Sequence, residues 1–486
     1  MIIEPDKLDR VIEHILNTAK IPGVAIAIVS GTEIAFSNGY GHRDLDAKLP
    51  VTPQTLYPIA STTKAITATL LGTLVDEGMI SWDAPLRTYL PRFQLSDREL
   101  SLQVTLRDLF AMRTGLPRHD WLWWGRGISR EHLVNSLRHL ELSAGFRERF
   151  QYNNILITTA GYVSEVVTGK CWEDLVQTRI LDPLGMTRTV FSRPSKGNVT
   201  ESYHEISCRK LIRTQPHSSE VTGPSGGSIY STVLDMAQWV LFNLKGGQTI
   251  AGRQLIKAET LAEIHCPQIV VGKDPAATSP HATYAIGWFV DTYNGRLRVS
   301  HGGHLHNVKS DVSLFPEDDI GLISFVNLSA PVPARLVTQY AFDLLKGFRS
   351  AETVEDILER HEKRIVETRQ RSAAVRRVMG TAPSHLLDEY AGIYEHLGYG
   401  KIELQRNDQT LTFRFNEFVF PLEHWHYDAW VAQESDLFGV YEQHPFDRAS
   451  RIMFESNDDG EVAALTIRLE PNVAPIRFVK QLRGAP

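Results

Sequence analysis

Ser61-Thr62-Thr63-Lys64, continuing through Ala65-Ile66-Thr67-Ala68-Thr69-Leu70-Leu71 to Met79, is the stretch on which the reading of this chain turns. Positions i and i+3 share a helix face. The segment after Lys64 is rich in Ala, Leu, Ile and Thr, holds no proline and reaches Gly78, a suitable left-handed terminator. Ser61 is therefore expected near the first turn of a helix, with Lys64 above it. A serine hydroxyl is a weak nucleophile until a neighbour takes its proton, and a lysine does so once burial or nearby positive charge lowers its pKa. The competing reading is a helix N-cap serine followed by a solvated lysine.

The bare pattern occurs twice, the second copy being Ser207-Cys208-Arg209-Lys210. That copy lies among charged residues between His204 and Pro216 with no apolar helix after it, so it reads as surface loop. Two further segments favour Ser61. Phe150-Gln151-Tyr152-Asn153-Asn154 precedes an apolar helical stretch, Ile155 to Val167, which puts Tyr152 and Asn154 on the loop leading into a helix. Val299-Ser300-His301-Gly302-Gly303 follows the strand-like Arg296-Leu297-Arg298-Val299, and its glycines let a substrate backbone come close.

Ser-x-x-Lys, then Tyr-x-Asn, then a strand-borne His-x-Gly resembles the serine beta-lactamase and DD-peptidase superfamily, in its D-aminopeptidase and esterase branches. The resemblance runs from about Ile12 to Leu345 and includes Leu109–Asp120 (LFAMRTGLPRHD), Gly223–Trp239 (GPSGGSIYSTVLDMAQW), Tyr284–Trp288 (YAIGW) and Gly321–Asn327 (GLISFVN). It implies an α/β (α+β) fold, with an antiparallel sheet flanked by helices and a largely helical subdomain. It also implies a two-step acyl-enzyme route. Ser61 would be the acylated nucleophile, Lys64 with Tyr152 the proton-transfer system, and Asn154 the group orienting Lys64 and the acyl amide. The oxyanion donors would be the backbone N–H groups of Ser61 and His304, just past His301-Gly302-Gly303. Penicillin-recognising relatives carry Lys-Thr-Gly where this chain has His301-Gly302-Gly303. A histidine is mostly neutral above about pH 6.5, so the preference should move from carboxylated beta-lactams toward amides, peptides or esters. His306-Asn307 is a second departure, at a turn where many relatives have glycine; Asn tolerates positive φ.

The expected activity is a serine hydrolase acting on amide or ester bonds of small acyl or peptide substrates, with D-residues in its range. Acyl transfer, peptide cyclisation, beta-lactam hydrolysis and a noncatalytic acylated sensor all use the same motifs and stay open. Gly223-Pro224-Ser225-Gly226-Gly227 matches a Gly-x-Ser-x-Gly elbow. The polar run before it (RTQPHSSEVT) is no buried strand, so a glycine-rich turn into a helix near Leu234–Leu241 is expected instead. His301, His304 and His306 are not expected to bind a metal, because strand alternation turns His301 away from the others. No cofactor is called for. Trp121, Trp123 and Trp124 read equally as a pocket wall or as core.

With 486 residues the chain can hold two or three domains. A net charge of −6 without a basic tract argues against nucleic acid or a membrane surface as partner. No apolar run reaches the ~18 residues of a membrane span. Met1–Arg10 is charged rather than signal-like, which points to the cytoplasm. Three cysteines, Cys171, Cys208 and Cys266, read as reduced structural thiols.

Val24–Val29 with Glu33–Phe36 reads as a hairpin, helical material is expected from Ala65 to about Leu244, and strands return from Tyr284 to Val326. The expected division is a hydrolase domain over 1–348, a charged helical linker over 349–382 and a β-barrel over 383–486. Barrel strands are expected at Lys401–Leu404, Thr410–Phe415, Trp430–Ala432, Arg451–Phe454, Ala463–Leu469 and Ile476–Val479. This tail, with Tyr390-Ala391-Gly392-Ile393-Tyr394, resembles the lipocalin-like modules of some D-aminopeptidases and penicillin-binding-protein-type thioesterases. Such modules restrict an active site or mediate assembly, so a homo-oligomer is among the expected states. The aromatics Phe413, Phe415, Phe418, Phe420, Trp425, Tyr427 and Trp430 are expected to fill the barrel.

Overall fold

The structure is a computed structural model that describes residues 4–206, 210–216, 219–273, 279–329, 332–350, 352–373, 376–432 and 451–481. Helix α1 (Pro5–Ala19) buries Leu8, Ile12, Ile15 and Ala19 along one stripe and ends in a left-handed Lys20. Strands β1 (Gly23–Ser30), β2 (Glu33–Asp44) and β3 (Leu49–Pro50) follow. Helix α2 (Thr63–Asp76) is buried from Thr63 to Leu74, its threonines and Lys64 included, because elements pack on every side of it. Helices α3 (Asn154–Thr168) and α4 (Val233–Leu244) complete the main helical layer.

The chain then returns to the sheet through β4 (Ile269–Val270), β5 (Thr283–Tyr284), β6 (Phe289–Tyr293), β7 (Arg296–Leu305), β8 (Val308–Phe315) and β9 (Ile320–Val326). These strands form one nine-stranded sheet in the order β3-β2-β1-β9-β8-β7-β6-β5-β4. The amino-terminal hairpin is therefore zipped to the late strands, Val24 opposite Val326. Helices α5 (Ala334–Lys346) and α6 (Val354–Ala373) follow, α5 packing on the sheet. No helix among the described residues is long and apolar enough to cross a membrane.

The carboxy-terminal strands are β10 (Gly392–His396), β11 (Gly400–Asn407), β12 (Thr410–Phe415), β13 (Phe418–His426), β14 (Ala429–Ala432), β15 (Ile452–Ser456), β16 (Val462–Ile467) and β17 (Ile476–Lys480). They close into a barrel. Closure leaves no open edge. Phe413, Phe415, Phe418, Trp425 and Trp430 are buried, whereas Phe420 is half-buried and Tyr427 is exposed, against expectation.

Other expectations need correction. The helical middle is interrupted by an antiparallel hairpin, Ser202–Ile206 with Lys210–Thr214. It contains the second Ser-x-x-Lys pattern, whose Ser207, Cys208 and Arg209 lie outside the described residues, while Lys210 opens a strand rather than a loop. Cys171 and Cys266 are free, as expected of reduced thiols, and both are exposed. The β7–β8 turn forms at His306-Asn307. His306 and Asn307 both take positive φ, at 52° and 64°, as a two-residue hairpin turn matching strand twist requires.

Candidate active site

Ser61 lies in a short 3-10 turn, Ala60–Thr62, that runs into α2. Ala60 is held at φ 51°, a left-handed conformation that costs a non-glycine residue about 1–2 kcal/mol. Two glycines press on it. A Cβ on Gly226 would lie 2.5 Å from the Ala60 carbonyl, and one on Gly303 would lie 2.6 Å from the Ile59 carbonyl oxygen. Ser310 and Thr62 both donate hydroxyl hydrogen bonds to that Ile59 oxygen, at 2.6 and 2.7 Å. The serine is thus clamped between the glycine-rich turn and strand β7.

Lys64 is fully buried, and its Nζ meets three groups: Ser61 Oγ at 3.0 Å, Asn154 Oδ1 at 2.7 Å and the Ser225 carbonyl at 2.6 Å. Burial pushes its pKa well below the usual lysine range; Arg118 adds to that and Asp120 opposes it. A neutral amine has two N–H donors and one lone pair. In that form Asn154 Oδ1 and the Ser225 carbonyl would take the two donors and the lone pair would face the Ser61 hydroxyl, the arrangement that the lowered pKa favours.

Asn154 is the first residue of α3, whose N-cap Asn153 accepts from the Leu156 N–H at 3.0 Å. Its Nδ2 donates to Asp120 Oδ1 at 3.2 Å, which fixes the amide so that Oδ1 faces Lys64. Asp120 also receives Arg118 Nε at 2.7 Å and Trp123 Nε1 at 3.0 Å. The Tyr152 ring lies close to both groups, with Lys64 Nζ at 4.9 Å and the Arg118 guanidinium at 5.1 Å from its centroid.

His301 is buried in β7 beside Tyr152, Tyr284 and Phe289. Its Nδ1 is 2.6 Å from the Gly302 carbonyl, which can only accept, so Nδ1 carries the proton and Nε2 accepts from Tyr284 O–H at 3.0 Å. Burial, with Lys64 nearby, pushes its pKa down to about 3. A neutral imidazole with both nitrogens engaged is a fixed wall. Behind it, Arg298 and Asp291 form a buried two-pronged pair, at 2.8 and 2.7 Å, tying β7 to β6.

A cavity of about 400 Å³ opens onto Ser61, Tyr152, Asn154, His301, Gly302, Gly303 and His304. The structure thus brings every residue of the expected site to one pocket, apart from Lys64, which is buried beneath it. Trp123 and Trp124 line that pocket, while Trp121 packs on Phe418 of the barrel with centroids 5.1 Å apart. Three contributors were missed by sequence reading: the Ser225 carbonyl, the Arg118–Asp120 pair and Tyr284. His301 adds no positive charge to the pocket, whose charged lining comes from Arg118, Lys309 and Arg335 with Asp120 and Asp311. No cluster of metal-ligating side chains occurs among the described residues.

Residues 8–346 match the family described as Beta-lactamase. The chain belongs to the beta-lactamase family. Residues 376–480 match a domain of unknown function, DUF3471. Curated relatives include an unguisins hydrolase of Aspergillus campestris, 30% identical over 66% of this chain and 62% of that protein. Another is protein flp of Staphylococcus aureus, 27% identical over 68% of this chain and 64% of its own length. The matched segments thus span less than two thirds of these relatives. An octameric penicillin-binding protein homologue from Pyrococcus abyssi superposes with a TM-score of 0.64 at 21% identity, covering 98% of this chain and 100% of that one. At that identity the likeness shows the fold, a beta-lactamase-like domain followed by a barrel.

Proposed function

We propose that the protein is a serine hydrolase that cleaves amide or ester bonds of small acyl or peptide substrates through an acyl-enzyme on Ser61. The observation that carries this reading is the buried Lys64 Nζ, held by Asn154 Oδ1 and the Ser225 carbonyl 3.0 Å from the Ser61 hydroxyl, with its pKa lowered by burial. Ser61 Oγ attacks the acyl carbon as its proton passes to Lys64 Nζ. Collapse of the tetrahedral intermediate expels the leaving amine or alcohol, which takes a proton from the Lys64–Tyr152 system. Water then attacks the ester with the same groups acting in reverse. The Ser61 and His304 N–H groups serve as oxyanion donors, and neutral His301 closes the wall. Relatives named as hydrolases support hydrolysis as the outcome. Acyl transfer or cyclisation follows if an amine replaces water, and D-residue amides are the substrates to try first beside simple esters. The octameric structural neighbour supports self-association, which sedimentation velocity would test.

A fluorophosphonate should leave its adduct on Ser61, and Ser61→Ala should abolish labelling while Ser225→Ala retains the acylation site. An adduct mapped to another serine would overturn the reading.

A further inference from the structure

The barrel grips the loop beside the catalytic pocket, and most deeply at His119. His119 separates Arg118 from Asp120, the two charged residues that act on Lys64, and it is fully buried in a left-handed conformation at φ 47°. Such a conformation persists in a non-glycine residue only where the surroundings over-determine it. Here most of those surroundings come from the far end of the chain. The His119 backbone N–H donates to Glu470 Oε2 at 3.0 Å, and its ring Nδ1 lies 2.7 Å from Tyr399 O–H. Nε2 faces the Glu141 carbonyl at 2.9 Å, an acceptor only, so Nε2 carries the proton and Tyr399 donates to Nδ1. Glu470 is itself buried and braced by Asn472, whose N–H and Nδ2 donate to Oε1 at 3.1 and 2.9 Å.

A second set of contacts continues along the same loop. Asn416, in the turn between β12 and β13, donates to the carbonyls of Trp121 at 3.1 Å and Trp124 at 2.8 Å. Glu417 N–H donates to the Gly125 carbonyl at 3.0 Å, and Trp121 packs edge-on against Phe418. The loop thus carries its catalytic face, Arg118, Asp120, Trp123 and Trp124, on one side and a barrel-bonded backbone on the other.

We propose that His119 is a positioning residue through which the carboxy-terminal barrel holds Arg118 and Asp120 against Lys64 and Asn154. The barrel is then part of the catalytic apparatus rather than a detachable module. Removing its two polar contacts to His119 frees the strained turn, loosens the Asp120 hold on Asn154 and withdraws the Arg118 cation from Lys64. Arg118 depresses Lys64 more than Asp120 raises it. Relaxation of the loop therefore raises the lysine pKa, and the acid limb of the pH profile, which reports loss of the Lys64 proton, moves to higher pH. The charged or titratable groups facing Lys64 are Arg118, Asp120, Tyr152 and His301, and only the first two ride on this loop.

The inference rests on the catalytic reading of Ser61 and Lys64, so the test carries one readout independent of turnover. Tyr399→Phe, Glu470→Gln and their combination are made in the full chain, with Arg477→Ala, an exposed barrel ion-pair residue, as control. The double variant should lose about tenfold to a hundredfold in kcat/KM for a short-chain ester, as slight misplacement does. Its acid limb should move up in pH, and amide exchange over residues 118–124 should accelerate. If the double variant does not fold, Tyr399→Phe alone, which removes one hydroxyl, must show the same three changes in smaller degree. Wild-type kcat/KM, acid limb and exchange in a folded variant overturn the proposal. If wild-type protein neither turns over esters nor labels at Ser61, the functional reading fails, and exchange over 118–124 still decides the role of His119.

Discussion

The Lys64 centre and the His119 node are both buried, fully hydrogen-bonded polar clusters, yet they are assembled differently. At Lys64 the serine partner is three residues away and the two acceptors come from neighbouring elements of the same domain. At His119 the partners lie 22, 280 and 351 residues along the chain. The first cluster leaves one partner open to the pocket, since the Ser61 hydroxyl lining the cavity lies 3.0 Å from the buried amine. The second delivers placement, since each nitrogen of its histidine is spent on a structural bond. Burial makes both demanding, because a buried polar group left unpaired costs about 1–3 kcal/mol.

The contrast is broken most severely at the first cluster. Lys64→Ala and Tyr152→Phe should each lower turnover by about 10² to 10⁴, and the double variant should lose less than the product of the two, because the groups act as a unit. Measured kcat/KM values that multiply independently would separate Tyr152 from Lys64. Next in size is the buried pair behind His301. Asp291→Ala strands the Arg298 charge and should cost about 3–5 kcal/mol, read from the urea midpoint, well beyond what the exposed Arg477–Glu455 pair contributes.

Arg118→Ala sharpens the comparison through pH. It removes a cation that depresses Lys64, so the acid limb of kcat/KM should move to higher pH, while His301, held down to about 3, contributes no limb between pH 5 and 8. A limb near pH 6.5 that disappears in His301→Gln would show that the imidazole titrates after all. The smallest effect lies outside both clusters. Ser129→Ala removes a hydroxyl that accepts from the His132 N–H at 3.1 Å and should cost about 1 kcal/mol of stability without changing kcat.

Ser61, Lys64, Tyr152, Asn154 and His301 could be picked out from the chain because each sits in a short motif next to a helix or strand with clear periodicity. The Ser225 carbonyl could not, since a backbone acceptor has no residue signature; the glycine-rich turn that carries it reads as a turn and nothing more. Arg118 and Asp120 were visible only as part of a family segment. Their pairing with Tyr152 and Asn154 depends on a backbone conformation at His119 that no local propensity favours. In the barrel, β10 and β13 escaped because Gly392–His396 is short and Pro421 interrupts the alternation of Phe418–His426. The hairpin at Ser202–Thr214 escaped because many of its residues are polar, although Ser202, Tyr203, His204 and Thr214 are buried.

By itself the sequence determined the pairing of Ser61 with Lys64, the helix that presents them and the strand that lines the pocket, because hydrophobic periodicity and i,i+3 spacing act over a few residues. Tertiary structure alone decided the lowered pKa of Lys64, the neutrality of His301 and the placement of Arg118 and Asp120. Those depend on burial and on partners up to 351 residues distant, and a chain acquires a low-dielectric interior only once it has folded around them.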